Sequence, residues 1–354
     1  MLTKRSSIVL NNMKCILSVF VVMIHTQIMS SSWASLGGAD YKEYLIFQKV
    51  FSDVFLDHSC VPVFFLISGY LFFLKIRDDF SVDNYKNQLS KRIKGLAIPF
   101  CIANLAYYIV LRILPSLKCG AIGVDMVDDF FTSFWSYHDT NIPINGPLWY
   151  IRDLLVLSFL SPIIYYVIKS FKYYALIALC GLWLLGFWFD NPGFTCYPIL
   201  FFSIGSYFAI QGKDIVSVFK SKAYIALCII YPFIVFLVSF IGYRNGDECA
   251  EYLLSLKVAQ LVSVSFWFVI IIGLSKYFII PKMWVTATFF VFLYHYALAV
   301  PSRIIGICNM PFTNGTLFML YIGGVFLEVV LLMVIYTLLK KFFPRLSSII
   351  VGGR

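Results

Sequence analysis

Residues 8–29 have the sequence IVLNNMKCILSVFVVMIHTQIM, a long apolar run interrupted by Lys14 and His25. At ~1.5 Å of rise per residue, a helix of this length crosses the ~30 Å hydrocarbon core of a bilayer. Lys4 and Arg5 precede the run, as basic residues precede the core of a signal peptide. The run is too long for a typical signal-peptide core, so we interpret it as an uncleaved first membrane span.

Similar apolar runs fill the rest of the chain. Hydrophobic residues make up 60% of the sequence and charged residues 13%, whereas a soluble domain carries about 25% charged residues. The sequence therefore predicts an all-α polytopic membrane protein, a single transmembrane domain over residues 1–354 with no attached soluble domain. The ten predicted spans are 8–29, 54–74, 95–114, 148–168, 172–189, 194–211, 223–242, 254–275, 284–308 and 317–340.

The lysines and arginines lie mostly at the ends of these spans. The net charge is +10, but no basic tract of the kind that follows a nucleic-acid backbone occurs, so we expect no nucleic-acid partner. Loops on the side of the two termini hold 19 Lys and Arg residues, and loops on the opposite side hold seven. The positive-inside rule then places both termini in the cytoplasm.

Lys14 and His25 form a polar stripe on the first span. Eleven residues at ~100° each bring the two side chains to within ~20° of one another around the helix, about 16 Å apart along its axis. Lys14 then lies towards the cytoplasm and His25 towards the outer surface. A lysine that extends to the interface and a structural histidine would give the same spacing, so the spacing alone leaves both interpretations open.

Other ionisable residues also fall inside predicted spans, where they are costly unless they face protein or water. Arg152 and Asp153 project about 100° apart, so we expect each to find a partner on another helix or to face a cavity. Glu328, near mid-membrane, is expected to pair with Lys14, to tune a histidine or to be neutral. His295 is expected to be a core histidine. The four histidines form no HExxH or comparable cluster, so we expect no metal site.

Four strings of the sequence form a further pattern. They are NMKCILSVFVVMIH at 12–25, VPVFFLISGY at 61–70, KRIKGLAIP at 91–99 and GPLWYIRDL at 146–154. Together they resemble the acyltransferase 3 family, bacterial membrane proteins of about ten spans that modify cell-surface glycans. Lys14 stands where the family usually has arginine, and Asn11 stands where an acidic residue is common.

The resemblance implies an acyl-CoA co-substrate in the cytoplasm, a glycan or lipid-linked saccharide acceptor at the outer face, and no bound cofactor. It places the protein in a bacterial cytoplasmic (inner) membrane. Because CoA carries several phosphate charges, we expect basic residues at the cytoplasmic side to bind it. These predicted donor-binding residues are Lys14, Lys91, Arg92 and Lys94.

The resemblance also implies catalytic roles. His25 is expected to act as a general base on the acceptor hydroxyl or as a nucleophile that forms an acyl-imidazole, and the sequence does not choose between the two. Glu328 or Asp153 is expected to orient the imidazole. Predicted oxyanion-stabilising or acceptor-binding residues are Arg152, Trp149 and His58. The acyl group is expected to be acetyl.

A transporter or flippase of a lipid-linked sugar is the leading alternative, because it would share the span count and the buried charges. Transporters often show related halves and interrupted helices, and the sequence shows no such internal symmetry. A non-catalytic receptor or assembly partner is a second alternative. Binding or hydrolysis of acyl-CoA by the purified protein would discriminate among the three.

Overall fold

The computed structural model describes residues 2–26, 28, 32–33, 36, 41–77, 80–119, 125–308 and 311–353, and every regular element among them is a helix. The predicted all-α fold class is therefore confirmed. The helices are α1 Lys4–His25, α2 Lys42–Phe73, α3 Val82–Ser116, α4 Asp125–Thr132, α5 Trp149–Phe171, α6 Tyr173–Leu185, α7 Cys196–Ile210, α8 Ile215–Val218, α9 Lys222–Asn245, α10 Ala250–Leu274, α11 Lys282–Leu298, α12 Val300–Cys308, α13 Asn314–Phe342 and α14 Pro344–Ile350.

Ten apolar helical segments occur in the described part of the chain, in the order of the ten predicted spans. Eight are long and apolar enough to cross a membrane by length and composition. The other two, α6 and α7, have 13 and 15 residues, or ~20 and ~22 Å of helix. The polytopic membrane fold is thus confirmed, whereas the cytoplasmic placement of both termini rests on the charge count and stays a prediction.

The helix α2 is longer than the span predicted at 54–74. It begins at Lys42 and contains a π-helical segment, Gln48–Asp57. The polar residues before position 54 suggested a loop, but Lys49 and Asp53 lie one turn apart and form an ion pair of 3.5 Å on the helix. Polarity in this stretch therefore reflects charge pairing along a helix and not a break in it.

The span predicted at 284–308 is interrupted. The helix α11 ends at Leu298 and α12 begins at Val300, and the residue between them, Ala299, has a φ of +42°. A positive φ is uncommon for alanine because its Cβ crowds the backbone there. One predicted span is thus two helical segments joined at a sharp turn.

The described chain divides into two compact units, each built from three separate stretches. Unit 1 comprises Met1–Ile67, Lys213–Thr288 and Leu298–Leu331. Unit 2 comprises Ser68–Gly212, Phe289–Ala297 and Leu332–Arg354. Since neither unit is a continuous stretch of sequence, the units are not sequential domains, and the single domain over residues 1–354 stays a prediction.

Aromatic side chains fill the core of each unit. In unit 1 the first half of α2 packs on α9, α10 and α13 through buried residues that include Tyr44, Tyr231 and Tyr321. In unit 2 the rings of Phe80 and Tyr165 stack with centroids 4.2 Å apart. Each of these large planar side chains buries much apolar surface.

Gly69 marks a close approach of α2 and α7 in unit 2. A Cβ placed on Gly69 would overlap the carbonyl oxygen of Phe202 and lie 2.9 Å from its carbonyl carbon. The Ser68-Gly69-Tyr70 string of the second resembling segment therefore includes a glycine that the helix packing requires.

We expect Gly69→Ala to destabilise the protein by about 1–3 kcal/mol, because the added methyl group forces two helix backbones apart. The matched control is Gly181→Ala in α6, where a Cβ would meet nothing within 4 Å. That substitution should be neutral or slightly stabilising, since alanine favours helix over glycine. Thermal unfolding of the purified proteins in detergent measures both, and equal unfolding temperatures for the two variants would contradict the close approach.

Candidate active site

The helix α1 carries Lys14 and His25 in unit 1. It is continuous from Lys4 to His25, so the two side chains share a face at an axial distance of about 16 Å. Both residues are half-buried. The structure thus places the predicted pair on one uninterrupted helix face without removing either side chain fully from the surface.

His25 is the last residue of α1. The turn after it is fixed by Thr26, whose backbone N–H donates to the Met23 carbonyl oxygen (3.2 Å) and whose Oγ1 donates to the Val22 carbonyl oxygen (2.7 Å). The carbonyl end of a helix carries a partial negative charge that favours a nearby cation. His25 therefore lies where an imidazolium, once formed, is stabilised by the helix.

Asn12 anchors α1, a role that the sequence analysis missed. Its Nδ2 donates to Ser275 Oγ (3.0 Å) and to the Phe278 carbonyl oxygen (3.1 Å), and its Oδ1 accepts from the Ile280 N–H (3.0 Å). The side chain is buried. An amide that stands inside a predicted apolar span was the available signal, because such a group must find internal partners.

Glu328 lies on α13 and is 2% exposed. Its carboxylate accepts hydrogen bonds from the backbone N–H groups of Ala299 and Val300, at the break between α11 and α12. Unsatisfied N–H groups at a helix start favour an anion. The contacts shown for Glu328 are thus with a helix N-terminus, and its role beside a histidine stays a prediction.

His58 belongs to a charged face of α2. Its Nδ1 lies 3.7 Å from Asp57 Oδ2, and on the same helix Lys49 Nζ lies 2.8 Å from Asp247 Oδ1, besides its contact with Asp53. No group of three or more His, Cys, Asp or Glu side chains in the described part of the chain could hold a metal ion. The ion pair of Lys49 with Asp247 joins this face of α2 to the loop after α9.

In unit 2, three of the four resembling strings meet at one point. Arg92 Nη2 donates to the Ser68 carbonyl oxygen (3.1 Å), and Ser68 Oγ shares a hydrogen bond of 2.9 Å with Tyr150 Oη. The Arg92 guanidinium also lies 5.5 Å from the centre of the Phe72 ring. Residues far apart in sequence thus bind one another across α2, α3 and α5.

The basic cluster of α3 therefore divides into two parts. Lys91 and Lys94 are exposed, whereas Arg92 is held by the contacts just described. Of the three residues predicted to bind donor phosphates on α3, two extend into the surroundings and one is a structural link.

Arg152 and Asp153 do not each find a separate partner, as helix geometry led us to expect. They pair with each other, with Arg152 Nη2 2.8 Å and Nε 2.9 Å from Asp153 Oδ1. Arg152 Nη1 also donates to the Trp135 and Asn141 carbonyl oxygens, at 2.5 and 2.8 Å. Adjacent side chains leave the helix about 100° apart, but the long arginine side chain bends back across that angle.

The other end of this ion pair holds a turn. The Asp153 carboxylate accepts a hydrogen bond from the Gly193 N–H, and Gly193 adopts a φ of +81°. Arg152 and Asp153 are 3% and 1% exposed. The pair thus ties two connections to the start of α5, and its predicted catalytic and acceptor-binding roles stay predictions.

Asn145, directly before the fourth string, is another residue that the sequence analysis missed. Its N–H donates to Asn104 Oδ1 (3.3 Å) and its Nδ2 to the Leu293 carbonyl oxygen (3.1 Å). An asparagine directly before Gly146-Pro147 was the available signal for Asn145.

Trp149, predicted to contact the acceptor, is half-buried, and the centre of its ring lies 6.4 Å from that of Tyr197.

The predicted site residues divide between the two units. Unit 1 contains Lys14, His25, His58 and Glu328, and unit 2 contains Lys91, Arg92, Lys94, Trp149, Arg152 and Asp153. Within unit 1 the structure shows Lys14 and His25 on one helix face. Within unit 2 it joins Arg152 to Asp153, and it shows Arg92 in contact with Ser68 and Phe72 while Lys91 and Lys94 are exposed.

Comparison with known proteins extends the resemblance to nearly the whole chain. A model of the family described as an acyltransferase domain matches residues 8–349. The succinoglycan biosynthesis protein ExoH of Rhizobium meliloti (strain 1021) is 24% identical over 360 residues, covering 98% of this chain and 92% of that protein. No solved structure matches.

The Arg152–Asp153 pair predicts a non-additive mutation cycle. Arg152→Met or Asp153→Leu alone leaves one buried charge uncompensated, which costs about 3–5 kcal/mol. The double variant removes both charges, so it should unfold at a higher temperature than either single variant, although the Trp135 and Asn141 carbonyl groups lose their donor. Thermal unfolding of the four proteins measures the coupling, and a double variant as unstable as the sum of the singles would contradict the pairing.

Proposed function

The chain belongs to the acyltransferase 3 family, and from this premise we propose that it transfers an acyl group from cytoplasmic acyl-CoA to a hydroxyl of a cell-surface or lipid-linked glycan. The family match supports acyl transfer in a membrane. The similarity to a protein named for succinoglycan biosynthesis supports a glycan acceptor. Acetyl is the simplest acyl group for this reaction, and a bacterial inner membrane is the expected location.

The observation that carries the proposal is the position of His25. It is a half-buried imidazole at the end of α1, a membrane-length helix. Arg152, Asp153 and Glu328 are also ionisable and lie in such helices, but all three are fully buried and bind each other or backbone groups. His25 therefore combines a suitable proton acceptor with partial exposure.

In the proposed base mechanism, His25 accepts the proton of the acceptor hydroxyl while the hydroxyl oxygen attacks the thioester carbonyl carbon. The carbon–sulfur bond then breaks, the acyl group stays on the glycan oxygen, and the CoA thiolate takes the proton from the imidazolium. In the nucleophilic alternative, an imidazole nitrogen attacks the thioester carbonyl carbon, the carbon–sulfur bond breaks, and the CoA thiolate takes the ring proton, which leaves an acyl-imidazole. The glycan hydroxyl then attacks the acyl carbon, the carbon–nitrogen bond breaks, and the hydroxyl proton returns to the imidazole. Both routes require a histidine at position 25, and the C-terminal end of α1 favours the cationic form in either.

Donor binding is proposed for Lys14, Lys91 and Lys94. Lys91 and Lys94 are exposed, and Lys14 is half-buried three turns before His25 on α1. An ammonium group binds a phosphate as a point charge. Arg92 is assigned a supporting role, because its guanidinium already binds the Ser68 carbonyl oxygen.

We expect His25→Asn to lower acyl transfer by about 10²–10⁴-fold, the usual contribution of a general acid or base, while leaving protein abundance normal. His138→Asn is the matched control, because His138 is exposed and its φ of +48° is one that asparagine tolerates. Mass spectrometry of surface glycans from cells that express each variant measures the transferred group. Wild-type acylation with His25→Asn would exclude the central role of this histidine.

Lys14 should act through its charge. We expect Lys14→Ala to lower kcat/KM for acyl-CoA by about 10–100-fold, corresponding to one charge-assisted phosphate contact. Lys14→Arg should keep most of the activity, since arginine preserves the charge and binds phosphate. The measurement is the dependence of transfer rate on acyl-CoA concentration in membranes, and equal kinetics for all three proteins would remove Lys14 from the donor site.

A further inference from the structure

A basic cavity opens at the start of α1, within unit 1. Its volume is about 730 Å³. Five of the described residues line it, of which three carry a positive charge and none carries a negative charge. The lining residues are Lys4, Arg5, Ile8, Ser275 and Lys276.

The fold fixes the two sides of this cavity against each other. Asn12, one turn further along α1 than Ile8, is buried and makes three hydrogen bonds to the connection after α10. One of these bonds is to Ser275 Oγ, at 3.0 Å. Lys276 is therefore held beside the start of α1 by buried contacts and not by a chance surface arrangement.

The basic residues of the cavity have no carboxylate partner within the described part of the chain. Among the described residues, Lys4, Arg5 and Lys276 form no ion pair with a carboxylate, and the first turn of α1 contains no acidic residue. The start of a helix adds a further partial positive charge. Like charges held together in this way favour the binding of an anion.

The Asp214 carboxylate, which binds Ser6 of α1, also binds Ser217 at the start of α8. Asp214 accepts hydrogen bonds from Ser6 Oγ (2.8 Å), from the Ser217 N–H (3.0 Å) and from Ser217 Oγ (2.8 Å). It thereby starts the short helix α8, and it does not line the cavity. No carboxylate of the described residues thus lines the cavity, and this favours an anionic ligand from outside the chain.

The position of the cavity favours a lipid as this ligand. It lies where α1 begins and just after α10 ends, and both helices are of membrane-spanning length and composition. Lipid headgroups occupy this level, and Ile8 adds an apolar wall one turn along α1 from Lys4. We propose that this cavity binds the phosphate of an anionic phospholipid, with the acyl chains along the apolar surface of unit 1.

The test compares two charge-matched triple variants of the purified full chain. The first, Lys4→Gln with Arg5→Gln and Lys276→Gln, removes the cations of the cavity. The control, Lys340→Gln with Lys341→Gln and Arg345→Gln, removes two lysines and an arginine that are likewise exposed at helix ends. Each protein is titrated with phosphatidylglycerol and, separately, with zwitterionic phosphatidylcholine, and binding is followed by native mass spectrometry and by the rise in unfolding temperature.

We expect the cavity variant to bind phosphatidylglycerol about 100-fold more weakly than wild type, from a factor of about five for each basic residue near an anionic lipid. The control should bind phosphatidylglycerol as tightly as wild type does. All three proteins should have the same affinity for phosphatidylcholine. Lys276→Gln alone should give an intermediate loss, which keeps the test valid if the triple variant is unstable.

Two results would overturn the proposal. Equal losses in the cavity variant and the control would show that the lipid responds to overall charge and not to this cavity. Displacement of phosphatidylglycerol from wild type by soluble CoA or adenosine 3′,5′-bisphosphate would show that the cavity serves a nucleotide. Acyl transfer is measured separately, so failure of the lipid proposal leaves the role of His25 unaffected.

Discussion

Hydrocarbon offers no hydrogen-bond partner, so every polar group of a membrane span must be satisfied within the protein. This constraint accounts for the helical form of the ten apolar segments, since a helix pairs its own backbone groups. It also accounts for the internal partners of the buried charges. Arg152 binds Asp153 at 2.8 Å, and Glu328 binds the N–H groups that the break between α11 and α12 leaves unpaired. The buried carboxylate of Glu328 thus compensates the backbone groups that the break between α11 and α12 exposes.

The same constraint made the fold predictable from sequence, and it explains where prediction failed. Runs of apolar residues identified the ten helical segments because only such runs tolerate the bilayer. The start of α2 was placed too late because Lys49 and Asp53 were taken for loop residues, although an i,i+4 pair neutralises them on a helix. The break at Ala299 had a visible signal in Pro301, which has no backbone N–H and favours the first turn of a helix.

The contacts of the candidate site were less predictable than the fold. The spacing of residues along a helix shows neither how far a long side chain bends nor which uncharged groups it binds. The angle between Arg152 and Asp153 excluded a pair only if both side chains were rigid, and arginine is long enough to turn back. Asn12 and Asn145 were overlooked because they carry no charge, yet each bridges distant segments through both ends of its amide or through amide and backbone. The position of such an amide in the sequence indicates that it needs internal partners, but it does not identify which groups those partners are.

Similarity to a family does not by itself identify the reacting residues. The strings that carry the resemblance include Gly69, which the approach of α7 requires, and Ser68, Arg92 and Tyr150, which bind one another. These residues hold helices together, and a protein of the same fold with another activity would need them equally. Partial exposure does not separate the reactive candidates from these residues, because Ser68, Arg92 and Tyr150 are half-buried, as Lys14 and His25 are. The distinction is chemical. His25 is the one imidazole in the four strings, and an imidazole is the side chain that both accepts and returns a proton near neutral pH.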